Sequence, residues 1–185
     1  MKWDEFAHAV RAAASVLGED DVVDLGSQAI LAYFTDLPAE VVQSRELDIA
    51  ALDDPDEAKS HVLAGAIGED SPFDKMFGYY VDGVSLTTPL AAPGWLESCR
   101  RVSTPAMSGA TAICMEPHDL CAAKFLAGRD KDRRFVGALL GADLVDPQRI
   151  DTLLGQVPAD TALVSAAQSS LAAMAAMAAM VAEVD

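Results

Sequence analysis

Strand-like hydrophobic runs stop at Glu116-Pro117 and everything beyond is helical, and that change constrains the fold more than any other feature. Before it, short apolar runs separated by Gly, Pro and Asp read as strands: "DVVDL" (21–25), "ELDIAAL" (46–52), "MFGYYVDGVSL" (76–86) and "TAICM" (111–115). After it, every segment carries a helical period: about 118–128, 130–141, 147–155 and 159–182. Three further helices belong to the first part, one of them following Gly26-Ser27 and carrying Ala29, Ile30, Ala32 and Tyr33. Trp3, Phe6, Ala7, Val10, Ala13, Ala14 and Leu17 share one face of a helix that Gly18 ends. Asp54 is placed to cap another, with Pro55 at its first position, running to about Ile67. The expectation is an α+β protein: a small mixed sheet flanked by helices over 1–116, then a helical subdomain over 117–185.

Composition narrows what such a fold can do. Thirteen Lys and Arg stand against 29 Asp and Glu, a formal net charge of −16, so an extended nucleic-acid surface is not expected. A small nucleotide held through a divalent ion fits an acidic chain better, because acids are the ion's ligands. Cys99, Cys114 and Cys121 have no metal-ligand spacing and read as reduced, buried thiols. The N-terminal "MKWDEFAHAV" lacks the apolar core of a signal peptide, so a cytoplasmic protein is expected. Thr161 to Ala182 carries no charge, long enough to span a bilayer, but it is mostly alanine with Gln168 and three serines. It reads as a helix packed on the domain or on a second copy of the chain, not as a membrane span.

Three local features could carry chemistry. Gly26-Ser27 follows the first strand. Such a pair either offers backbone N–H groups and a hydroxyl to phosphate oxygens or simply turns a strand into a helix. Glu46 and Asp48 alternate with Leu47 and Ile49, so both carboxylates point to one face of a strand. They are a metal-binding pair or a solvated strand face. Asp82 is a third acid for such a cluster, or the first residue of an Asp-Gly turn. Five bases, Lys124, Arg129, Lys131, Arg133 and Arg134, fall within eleven positions. They suit phosphates, or a solvated helix face paired with Asp130 and Asp132. His8, His61 and His118 have no metal-ligand spacing, and neither a phosphate-binding P-loop nor a Gly-x-Ser-x-Gly elbow is present.

In order, "LGSQAIL", "LPAEVVQSRELDI", "YYVDGVSLTTPLAAPGW" and "MEPHDLCAAKFLAGRDKDRRFVGALL" resemble the nucleotidyltransferase-like proteins related to abortive-infection (AbiEii-type) toxins. The resemblance runs from about residue 22 to 140. It implies that Gly26 and Ser27 hold nucleotide phosphates, that Glu46 and Asp48 bind magnesium, and that Asp82 completes the acid set. It implies further that Lys124 and Asp132 stand near the same site, with Lys124 and Arg129 toward the nucleotide. The implied activity is magnesium-dependent transfer of a nucleotide from a nucleoside triphosphate to an acceptor. The implied setting is a toxin–antitoxin or phage-defence pair with an antitoxin as protein partner. The alternative on the same fold is a module that binds a nucleotide or a protein without catalysis. Two departures stand out: Glu46 replaces the usual aspartate, one methylene longer, and the segment from Ser27 to Glu46 is longer than in compact members.

Overall fold

The computed structural model describes residues 1–182. Five strands form one mixed sheet: β1 (Asp21–Asp24), β2 (Glu46–Ala50), β3 (Tyr80–Gly83), β4 (Arg100–Val102) and β5 (Thr111–Cys114), in the order β3-β2-β1-β5-β4. β1 runs antiparallel to β2 and parallel to β5; β2 and β3 are parallel. Among the described residues seven α-helices accompany the sheet: α1 (Trp3–Leu17), α2 (Ala58–Ile67), α3 (Pro72–Phe77), α4 (Pro117–Ala127), α5 (Asp130–Gly141), α6 (Pro147–Leu154) and α7 (Thr161–Ala182). The α+β class expected from the change of period is the class observed.

Strand alternation sorts the side chains into two layers. Val22, Leu47, Ile49, Val81, Ala112 and Cys114 enter a large core that also takes Phe6 and Val10 of α1 and Leu120, Phe135, Ile150 and Leu171 of the C-terminal helices. One continuous apolar cluster therefore joins both sides of residue 116. The opposite face of the sheet is smaller. Val23, Leu25, Ala50 and Ile113 pack there with Val84, Leu86, Trp95 and Leu96 from the segment after β3. Glu46, Asp48 and Asp82 project on this second face, toward its open edge.

The structure redraws several boundaries. The run 76–86 is not one strand, because Ser71 accepts a hydrogen bond from the Asp74 N–H, Pro72 opens α3 and Gly78 closes it at φ +78°. β3 begins only at Tyr80 and includes Asp82 and Gly83, so Asp82 is a strand residue and not the start of a turn. α2 begins at Ala58, not Pro55, because Glu57 takes a left-handed conformation (φ +58°). Asp54 still caps it across that turn, accepting from the Lys59 and Ser60 N–H groups at 2.9 and 2.8 Å. The segment after Gly26 is a short 3-10 turn (Ser27–Ala32), and β4 is a strand that the periodicity of its sequence does not reveal.

The first half of α7 is anchored on the protein through Ala167 and Leu171, both buried, with Met174 against Gly137. Met177 and Met180 are exposed. Cys114 and Cys121 are buried and Cys99 half-buried, all three free thiols.

Candidate functional site

The parallel register of β2 and β3 sets Asp48 directly beside Asp82 and Glu46 beside Tyr80. Alternation then puts three carboxylates on one face of two adjacent strands. The Gly-Ser turn closes on them from β1. A Cβ built on Gly26 would lie 2.1 Å from Asp48 Oδ2, so only glycine lets the backbone approach that carboxylate. Across the opening stands α4, whose Lys124 places Nζ 3.0 Å from Ser27 Oγ. A cleft of about 460 Å³ lies between these walls, lined by Gly26, Ser27, Glu46, Asp48, Asp82 and Lys124, with Arg129 and Lys131 at its basic side. Val84, Leu90, Leu120 and Ala123 make the remainder apolar. Its size and mixed lining are those of a small-molecule site.

The bases of this cleft are held by acids. Asp132 is almost fully buried and accepts from Lys124 Nζ at 3.2 Å and from Arg129 Nε and a terminal nitrogen at 2.6 and 3.3 Å. Burial alone would raise its carboxyl, but Arg129 and Lys124 outweigh that and hold it below its ordinary value. Lys124 Nζ also lies 4.8 Å above the centre of the Phe135 ring. Asp132 thus positions the two cations. Lys131 pairs with Glu46 at 3.5 Å, and Tyr80 Oη donates to the other oxygen of Glu46 at 3.2 Å. Arg133 and Arg134 do not line the cleft.

Asp48 has a different environment. Burial and then the charge of Glu46 push its carboxyl up to about 6, with Lys124 opposing, Asp82 adding a lesser rise and Lys131 opposing least. Asp82 is raised for the same reasons, burial first and then Glu46. Burial followed by the Glu46 charge takes the Tyr80 phenol up to about 12. Repulsion of this kind favours a proton or a cation among the oxygens. Among the described residues no three His, Cys, Asp or Glu side chains converge as a ready-made ligand set. The donor chemistry nevertheless fits a hard divalent ion: oxygen donors only, on one face, with Asp48 carrying an unmet demand for positive charge.

One further acid escaped the sequence reading. Asp24 is fully buried at the end of β1; its Oδ1 accepts from the Gly26 N–H at 2.9 Å, and its Oδ2 has no partner. Burial raises its carboxyl well above the ordinary value, and Asp48 adds to the rise although the Gly26 N–H opposes it. Asp24 shapes the turn from behind. An aspartate two residues before a glycine is the available signal, that of an Asx turn. Tyr80 had no such signal, because its contact with Glu46 depends on strand register. His118 lies elsewhere, between Glu116 and the Asp146 N–H, in a capping arrangement at the start of α4.

No protein-family model matches the chain, and no curated protein or solved structure matches it.

Proposed function

We propose that the cleft binds a nucleoside triphosphate together with magnesium and transfers a nucleotide to a hydroxyl-bearing acceptor. The observation that carries this reading is the placement of Glu46, Asp48 and Asp82 on one face in the wall of one cleft, with the Gly26 backbone packed against Asp48 and with Lys124 in the same lining. Glu46 and Asp48 would hold the metal, with Asp82 completing the set. When bound, magnesium supplies charge neutralisation at the phosphates and polarises the phosphorus under attack. Ser27 Oγ accepts from Lys124, which leaves its own proton to donate to a phosphate oxygen. Lys124 and Arg129, fixed by Asp132, face the departing pyrophosphate. Asp82, with its proton affinity raised, is suited to take the proton of the attacking hydroxyl. The acceptor oxygen forms a bond to the α-phosphorus, the α–β bridging bond breaks, and pyrophosphate leaves with that electron pair.

The resemblance to AbiEii-type toxins supports a toxin–antitoxin or phage-defence setting, with an antitoxin protein as partner. Engagement of Glu46 by Lys131 and Tyr80 favours one second reading, a module that binds a nucleotide without transferring it. The test is a melting series with each of the four NTPs, with magnesium or with chelator. Binding at a hundred times the dissociation constant stabilises by about 2.7 kcal/mol. For a chain of this size that raises Tm by roughly 5–10 °C. The rise should need both ligands and vanish in Glu46→Gln and Asp48→Asn. Flat curves throughout overturn both readings; a shift without turnover on any acceptor leaves the binding module.

A further inference from the structure

Glu46 is already partnered by a positive charge that belongs to the protein. Lys131, in the first turn of α5, reaches across the cleft to Glu46 Oε1 at 3.5 Å, while Tyr80 occupies Oε2. Asp48, two residues along the same face, makes no side-chain hydrogen bond among the described residues. The two acids of the pair are therefore unequal: one has a lysine and a phenol as direct partners and the other has none. The Glu46–Lys131 contact also sits at a junction. A second cavity, again about 460 Å³, opens between α5 and the segment leading into β2, with Gln43, Ser44 and Phe135 in its wall. Ser27, Glu46 and Lys131 line both cavities, so the ion pair stands between them.

The lysine is not locked. Its side chain is 57 % exposed, unlike Lys124, which is 9 % exposed and held by Asp132. An exposed pair of this kind is weak enough to be exchanged. A metal at Glu46 and Asp48 would compete with Lys131 for the same oxygens, and the displaced ammonium would lie on the same side of the cleft as Lys124 and Arg129.

Resting on the nucleotide–metal reading of the cleft, we propose that Lys131 is a resident counter-ion: it occupies the metal's place on Glu46 in the free protein and passes to the triphosphate when the metal arrives. Each ligand then favours the other through one side chain, since the metal releases the lysine that the phosphates need, and phosphates draw off the lysine that blocks the metal. Lys131 is a positioning residue whose exchange couples the two ligands.

The coupling is tested by measuring each ligand alone. Manganese(II) stands in for magnesium and is followed by the electron-spin resonance of the free ion, without nucleotide. Inorganic triphosphate is titrated calorimetrically in chelator, without metal. In Lys131→Met, manganese should bind on the order of two- to five-fold tighter than in wild type, the range expected from releasing an exposed pair. Triphosphate should bind weaker by a similar factor. Lys131→Arg should restore both values toward wild type, which a change of packing would not do. Glu46→Gln should strengthen triphosphate binding in the wild-type background and much less in the K131M background, the non-additivity that separates a direct exchange from a diffuse change in charge. Unchanged or weaker manganese binding in K131M, or additive effects in the double variant, overturns the exchange while leaving the cleft reading intact. Wild-type protein that binds neither probe even when both are supplied together, or binds manganese no better than Asp48→Asn does, overturns the cleft reading itself and the exchange with it.

Discussion

Replacing Asp48 with asparagine should stabilise the ligand-free protein at neutral pH, although it should also abolish the proposed ligand response. Asn keeps the shape of the side chain and removes the charge that burial, Glu46 and Asp82 oppose. The native carboxyl titrates at about 6 against an ordinary 3.8. Between those values the native state holds a proton that the unfolded chain has released. Stability therefore falls as pH rises through the window from about 4 to 6, and the full deficit is present above it. Two units at about 1.4 kcal/mol each set an upper figure of about 3 kcal/mol. The asparagine amide must itself be accommodated, so a gain of about 1–3 kcal/mol is expected, or roughly 3–10 °C in Tm.

The assay is thermal unfolding followed by Trp3 and Trp95 fluorescence, in chelator, at pH 4, 5, 6 and 7.5. The variant should melt above wild type at pH 7.5, and the two curves should converge at pH 4, where the side chain at position 48 is neutral in both native states. With magnesium and nucleotide added at pH 7.5, wild type should gain stability and the variant should not. A variant less stable than wild type at pH 7.5 in chelator would refute the reasoning. So would a difference that persists unchanged at pH 4, since neither result permits a carboxylate strained by its neighbours.

Two other perturbations test the walls of the cleft. Asp132→Ala removes three charge-assisted hydrogen bonds and leaves Lys124 Nζ buried with Ser27 as its remaining polar contact; a loss of about 3–5 kcal/mol in urea unfolding is expected. Because the native Asp132 carboxyl lies below its ordinary value, its contribution is present above about pH 4 and fades below it, so variant and wild type should converge in acid. Gly26→Ala has no backbone strain to meet at φ −91°, but its Cβ would stand 2.1 Å from Asp48 Oδ2 and 2.9 Å from Asp48 Cβ. It should destabilise by about 1–3 kcal/mol and lose the ligand-dependent melting shift; a silent substitution would show that the turn does not press on Asp48.

The parts of the site readable from the sequence were those set by local geometry. Alternation along β2 was enough to place Glu46 and Asp48 together and to send Leu47 and Ile49 inward, because strand period is intrinsic to the backbone. The helices after Pro117 were legible from Gly128 and from the prolines at 117 and 147, which punctuate them. What depends on pairing was not. Asp82 could be read as a turn residue until β3 was set parallel to β2 in a register that places it beside Asp48. The Lys131–Glu46 contact spans 85 positions and the Lys124–Ser27 contact 97, distances over which no periodicity speaks. Ser71-Pro72 before Gly78 was a helix signal, masked by the aromatic residues that followed.

The charge count of the cleft explains why neither ligand should bind well by itself. Glu46, Asp48, Asp82 and Asp132 face Lys124, Arg129 and Lys131, so four acids stand against three bases in the ligand-free site. A fully ionised triphosphate would add its charge to a surplus that is already negative, within a chain of net charge −16. Its phosphates could reach Lys124 and Arg129 only in competition with Asp132, and Lys131 only in competition with Glu46. A divalent ion alone would relieve Asp48 but would meet Lys131 at Glu46. On the proposed reading, an ion and a triphosphate brought together would balance each other: the ion would answer the excess of acid while the phosphates would receive the lysine it displaces. The three cleft bases of the run from 124 to 134, Lys124, Arg129 and Lys131, are therefore too few, and too engaged by acids, to act as a general anion surface. They suit an anion that arrives with its own metal.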